Sequence, residues 1–205
     1  MDQTRAKKYP IRVKICYIWA YMEIAGRLSA QEQTLLKPSE AQYLYRQIEL
    51  ANGAAPREDV LKLISHYPVW KETTWSVQKC GSLEIYFDGT PWNNLLTNNG
   101  RMLTISETAL NYEQKVSQLH ETDPNINMYI ERIANNWRQG LAAKPALIIP
   151  GSKYPQAPVS DFLDGTKSTL ASFIFYLRTG KPVSLDVYVG QKAPLLKRAL
   201  KILSF

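Results

Sequence analysis

Asp164-Gly165-Thr166-Lys167-Ser168 is the stretch of this 205-residue chain best equipped for chemistry. It lies between an apolar run and the start of a predicted helix. Glycine there allows a tight turn and close backbone approach. The first N–H groups of a helix lack intrahelical partners, and the macrodipole adds about half a positive charge, so such a start can hold an anion. Thr166 and Ser168 offer hydroxyls, Lys167 a point charge, and Asp164 a carboxylate suited to Mg²⁺ or a ribose hydroxyl. Together they make a phosphate cradle. The same string also reads as a plain turn and helix cap with Lys167 in solvent. It is not a Walker A loop, which needs glycine where Thr166 precedes Lys167.

Few other residues compete. His66 and His120 have no partner at ligand spacing, and Cys16 and Cys80 form no CxxC pair, so neither a zinc site nor a disulfide scaffold is expected. Trp92 with Asn93, Asn94, Asn98, Asn99 and Arg101 makes a polar loop able to stack on an unpaired base. The same pattern is more often a capped surface turn with Trp92 docked inward.

The charge is uneven. Against 25 Lys and Arg stand 18 Asp and Glu, a net +7. Residues 1–14 carry five basic side chains against Asp2, and residues 191–205 carry Lys192, Lys197, Arg198 and Lys201 with no acid. The last four ring the polar half of a helix whose other side is Leu195, Leu196, Leu200 and Leu203. That basic surface suits DNA or an acidic membrane face. Hydrophobic residues at 45% and charged residues at 21% exclude a disordered or fibrous chain. The longest apolar run, 15–25, contains Glu23 and is too short to span a bilayer. A cytoplasmic protein is expected, with the inner-membrane surface as a second location.

The elements that must position these residues follow from periodicity. Ile15, Ile18, Trp19 and Met22 share a helical face. Ser39 with Gln42 suggests a capping-box start to a helix striped by Ala41, Leu44, Tyr45 and Ile48 and stopped at Asn52-Gly53. Pro56 opens a second helix through Val60, Leu61 and Ile64, closed before Pro68. From Val69 the texture turns to strand, through Trp70, Trp75 and Val77, then 83–87 and 102–105. Helices are predicted over 106–120 and 125–139. A strand at 146–149 precedes a Pro/Gly/Ser-rich loop at 150–160. A helix from the Asp-Gly-Thr-Lys turn to Gly180 and a strand at 183–189 complete an α+β pattern.

The order of elements in ERIANNWRQGLAAKPALIIPG (131–151) and FLDGTKSTLASFIFYLRTGKPVSLDVYVG (162–190) is similar to that of the ParB/sulfiredoxin superfamily. The likeness spans about 75–190, and its specific string is 163–171. Lys167 stands where the family usually has arginine, which keeps the charge and loses the bidentate fork. The resemblance implies a mixed sheet with flanking helices at 70–205, carrying the basic C-terminal helix, and a helical extension at 1–69. It also makes Asp88 the carboxylate that follows the early strand; sequence alone favours Asp88 as a turn residue in Asp-Gly-Thr-Pro. The roles implied are metal binding or water activation for Asp88 and Asp164, and charge stabilisation for Lys167. Gly165, Thr166, Lys167 and Ser168 would bind phosphate, and Lys192, Lys197, Arg198, Lys201 and Arg101 would bind DNA.

Within the superfamily the basic ends and helical extension resemble plasmid fertility inhibition factors. That implies DNase and ATPase activity, ATP and Mg²⁺ or another divalent cation as ligands, and a block on conjugative or type IV secretion transfer, which includes suppression of oncogenic DNA transfer. DNA, nucleotide and a component of the secretion or transferred-DNA apparatus are the implied partners. A module that grips phosphate by occupancy alone, and a small-molecule kinase of the same superfamily, are the alternatives.

Overall fold

The computed structural model describes residues 34–85, 102–122, 124–141, 143–149 and 161–191. The predicted N-terminal helix around Ile15, the 86–101 segment with Asp88 and Arg101, the 150–160 loop and the C-terminal basic helix lie outside the described residues.

The frame is a five-stranded mixed sheet ordered β1-β2-β7-β5-β6. Strand β1 is Leu35–Leu36, β2 Val69–Ser76, β5 Ala146–Ile148, β6 Phe162–Asp164 and β7 Ser184–Gln191. β2 and β7 pair antiparallel over eight positions, from Val69↔Gln191 to Ser76↔Ser184, and β5 runs parallel to β7. β6 returns antiparallel along the outer side of β5. A separate antiparallel pair joins β3, Glu84–Ile85, to β4, Leu103–Thr104. The class is α+β, as expected.

Alternation along the strands divides the core in two. Ala146, Ile148, Leu185 and Val187 face one cluster, while Leu147, Ile149, Trp70 and Tyr188 face the other. The first cluster is covered by α3 (Val77–Cys80), α4 (Ile105–Thr122), α5 (Pro124–Arg138) and α6 (Thr166–Thr179). The second is covered by α1 (Pro38–Ala51) and α2 (Glu58–Ser65). The sheet is therefore covered on both faces around β5, and Ala146–Ile148 reads as a continuous apolar run. α6 lies deepest: from Ser168 to Phe175 every residue is buried, as expected of a helix apolar on most sides.

Two local expectations are corrected. α1 begins two residues earlier than its Ser39 reading: Lys37 is the N-cap, Pro38 takes the first helical position, and Glu40 accepts the Lys37 N–H at 2.6 Å. Proline is suited to that first position because it has no N–H to leave orphaned. Val77 opens α3 instead of ending the strand, because Ser76 caps the turn by accepting from Lys79 N–H. β6 falls just after the 150–160 loop, where the sequence assigned no element; three residues are too few to show a period of two.

Gly190 shows how closely the second cluster packs. A Cβ there would lie 2.9 Å from Ile149, 3.0 Å from Tyr67 and 3.1 Å from Trp70. Trp70, paired across the ladder with Gly190, is fully buried, and its indole N–H donates to the Ile64 carbonyl at 3.1 Å.

Candidate functional site

The turn from β6 into α6 is made by Gly165 in the left-handed conformation at φ 85°. Its Cα hydrogens face β5: an added Cβ would sit 2.7 Å from the Ala146 Cα and 3.0 Å from the Pro145 carbonyl oxygen. Only glycine satisfies both demands. With glycine as N-cap, no side chain accepts from the first N–H groups of α6. They remain available to an anion.

Asp164 holds the other side of the turn. One carboxylate oxygen accepts its neighbour Gly165 N–H at 2.7 Å, and the other accepts Lys144 Nζ at 2.6 Å. Lys144 in turn touches Glu49 Oε1 of α1. The Lys144 and Glu49 side chains are 12% and 8% exposed, so two carboxylates share one largely buried ammonium. The Lys144 ammonium is the charge partner of Glu49 Oε1. Burial pushes the Glu49 carboxyl above its usual range, Lys144 opposes this, and Asp164 adds to it. For Lys144, burial pulls downward, but Asp164 and Glu49 outweigh it and the net shift is upward. Tyr45, one turn before Glu49, is buried and raised chiefly by that burial; its hydroxyl accepts Arg57 N–H at 3.3 Å. Arg57 itself is turned to Asp59.

Of the predicted cradle, the structure brings Asp164, Gly165, Thr166 and Lys167 to one turn, with Lys167 exposed. Ser168 points elsewhere. It is 1% exposed, and its hydroxyl lies 3.2 Å from the Tyr129 hydroxyl of α5. Thr169 and Ser172 donate back to carbonyls one turn earlier, and Ser172 also accepts the Trp137 indole N–H at 2.7 Å. The Ser168 and Ser172 hydroxyls fasten α6 to α5. Asp88, Arg101, Lys192, Lys197, Arg198 and Lys201 lie outside the described residues.

Lys144 and Glu49 were not foreseen as site residues. Glu49 did leave a trace: it falls four positions after Tyr45 on the apolar stripe of α1, where a charge needs a partner. Lys144 left none beyond its place just before the apolar run of β5.

A divalent cation expected on Asp164 meets a crowded position, since both its oxygens are engaged by Lys144 and the Gly165 N–H. No cluster of three or more metal-ligating side chains occurs among the described residues. The ammonium of Lys144 takes the place a cation would have between the two carboxylates. These residues therefore do not form a standing metal cage. Thiol chemistry finds no support at Cys80 either, which is buried and whose thiol is pushed up to about 11. None of the described helices is long and apolar enough to cross a membrane.

Comparison with family models, curated proteins and solved structures finds no match to this chain.

Proposed function

We propose that the chain binds the phosphates of a nucleotide or of DNA at the start of α6 and hydrolyses a phosphate bond there. The observation that carries this reading is the uncapped, glycine-led start of α6 standing beside the Lys144–Asp164 pair. Backbone N–H groups and Lys167 would hold the phosphate oxygens, and Lys144 would sit within the same charge cluster. Asp164, the more exposed of the two carboxylates, would take a proton from the attacking water. One P–O bond forms to the water oxygen, one breaks to the leaving oxygen, and the leaving oxygen is protonated from solvent. In the wider reading the chain is a plasmid-encoded fertility inhibition factor in a ParB/sulfiredoxin-like fold, whose ATPase and DNase activities block conjugative or type IV transfer. That role rests on the 163–171 string.

The test is nicking of supercoiled plasmid and ATP hydrolysis with Mg²⁺ or Mn²⁺, beside EDTA, Asp164→Ala and Lys167→Ala. Loss of a general base is expected to cost about 100-fold or more. Turnover that Asp164→Ala leaves unchanged would remove the activity from this turn.

One observation favours a second reading: both Asp164 oxygens are already engaged. A module that grips phosphate by occupancy would show no cleavage, and gel retardation of DNA that fades steeply as salt rises.

A further inference from the structure

A line of hydrogen-bonding side chains crosses from α4 to α5 near the last turn of α6. It begins at the exposed His120 of α4 and passes to Asn127 of α5, whose amide nitrogen lies 3.1 Å from His120 Nδ1. Asn127 Oδ1 accepts the Tyr112 hydroxyl, and the same hydroxyl points to Glu131 Oε1 at 3.2 Å. Arg178 of α6 closes the line by donating to Glu131. Tyr112 is fully buried and Asn127 is 7% exposed, so an unmade bond at either is costly.

The single Tyr112 proton is divided between two acceptors. An amide, by contrast, can turn over and exchange its oxygen for its nitrogen. The line therefore has two complete arrangements. With no proton on His120 Nδ1, the Asn127 nitrogen donates to it and Asn127 Oδ1 competes for the Tyr112 proton. With a proton on Nδ1, the amide must turn. Its oxygen then accepts from His120, its nitrogen donates to the Tyr112 oxygen, and the Tyr112 proton goes wholly to the Glu131 carboxylate, in a charge-assisted bond.

We infer that His120 is a pH switch: on gaining a proton from solvent it turns the Asn127 amide and commits the Tyr112 hydroxyl to Glu131, tightening the tie between α4 and α5. The inference stands apart from the phosphate-binding reading. Histidine is the side chain whose ordinary charge change falls between pH 5 and pH 8. The charged groups facing this line are Glu113 of α4, Glu131 of α5 and Arg178 of α6, with Glu121 next to His120 in the chain. Their mutual hydrogen bonds push Arg178 up and Glu131 down, so both stay charged, and burial keeps the Tyr112 hydroxyl protonated.

Nuclear magnetic resonance of the labelled full chain between pH 5 and pH 8 tests it. The signals followed are the His120 ring nitrogens, the Asn127 side-chain amide and the Tyr112 Cζ, in wild type, His120→Gln and Asn127→Leu. At pH 8 Nδ1 is expected without a proton. As pH falls, the Asn127 and Tyr112 signals should move along the His120 curve. In His120→Gln both movements should be lost, and in Asn127→Leu His120 should still titrate while Tyr112 stays still. A proton on Nδ1 at pH 8, or Asn127 and Tyr112 signals that ignore the His120 curve, overturns the switch. So does movement of equal size in His120→Gln, which assigns it to the neighbouring carboxylates, or Tyr112 movement that persists in Asn127→Leu. His120→Gln alters an exposed residue, so it carries the test even if Asn127→Leu fails to fold.

Discussion

Lys144 separates structural from functional demands at the residue scale. Removing one member of a buried ionic group leaves the others uncompensated, which costs about 3–5 kcal/mol. Lys144→Met is therefore expected to lower unfolding free energy in urea by that order, with Glu49 and Asp164 left facing each other. Glu49→Gln should behave differently, and with pH. The folded pKa of Glu49 lies above its unfolded value, so the folded state holds the extra proton between the two. Stability from this group is full below the unfolded value of about 4.3 and declines as pH rises through the folded one. Urea titrations from pH 4 to pH 8 should show that decline in wild type and a flatter profile in Glu49→Gln. At Gly165 the expectation is steric. A methyl group would have to adopt φ 85° and press on Ala146, so Gly165→Ala should cost about 3 kcal/mol in the same assay.

Elements are joined by a second ionic group on the opposite layer. Arg178 of α6 donates bidentately to Glu131 of α5 at 2.8 and 2.9 Å, and its Nε reaches Glu113 of α4 at 2.9 Å. The Tyr112 hydroxyl adds a bond to Glu131 at 3.2 Å. The Arg178 hydrogen bonds hold the Glu131 carboxyl below the usual range, against the opposing pull of burial. Its sign is the reverse of Glu49: the stability it brings is present above the unfolded pKa and is lost as pH falls through the folded one. Arg178 and Glu131 are a quarter to a third exposed, so Glu131→Gln should cost only about 1 kcal/mol at neutral pH after solvent screening. The difference should vanish in acid.

The helix α4 was legible from sequence to within a residue of its start, although the Thr104-x-x-Glu107 capping box that opens it was not read: Glu107 accepts Thr104 N–H at 2.9 Å, and Thr104 Oγ1 accepts Glu107 N–H at 3.3 Å. α6 and β7 were legible because glycine and proline punctuate them. β1 and β6 were not, being two and three residues long, and Ser39 misled because Pro38 already supplied the helix start. The Asp164–Gly165–Thr166–Lys167 turn could be read locally. Its partners could not, since Glu49 and Lys144 reach it only through the packing of distant elements.

The whole molecule is held by the β2–β7 ladder, to which both layers attach. Gly190 lies near one end of it, against Trp70, Tyr67 and Ile149, so Gly190→Val should cost at least about 3 kcal/mol and lower the melting temperature accordingly. The Glu49–Lys144 contact has another consequence. Its members stand 95 positions apart in the chain, whereas the α4, α5 and α6 layer closes over shorter separations. Contacts that close the longest loops form against the largest entropy cost. On refolding from urea, recovery of helical circular dichroism should run ahead of recovery of ATP binding. A newly folded chain would thus pass through a stage in which its helical layer is formed and its charge cluster is not.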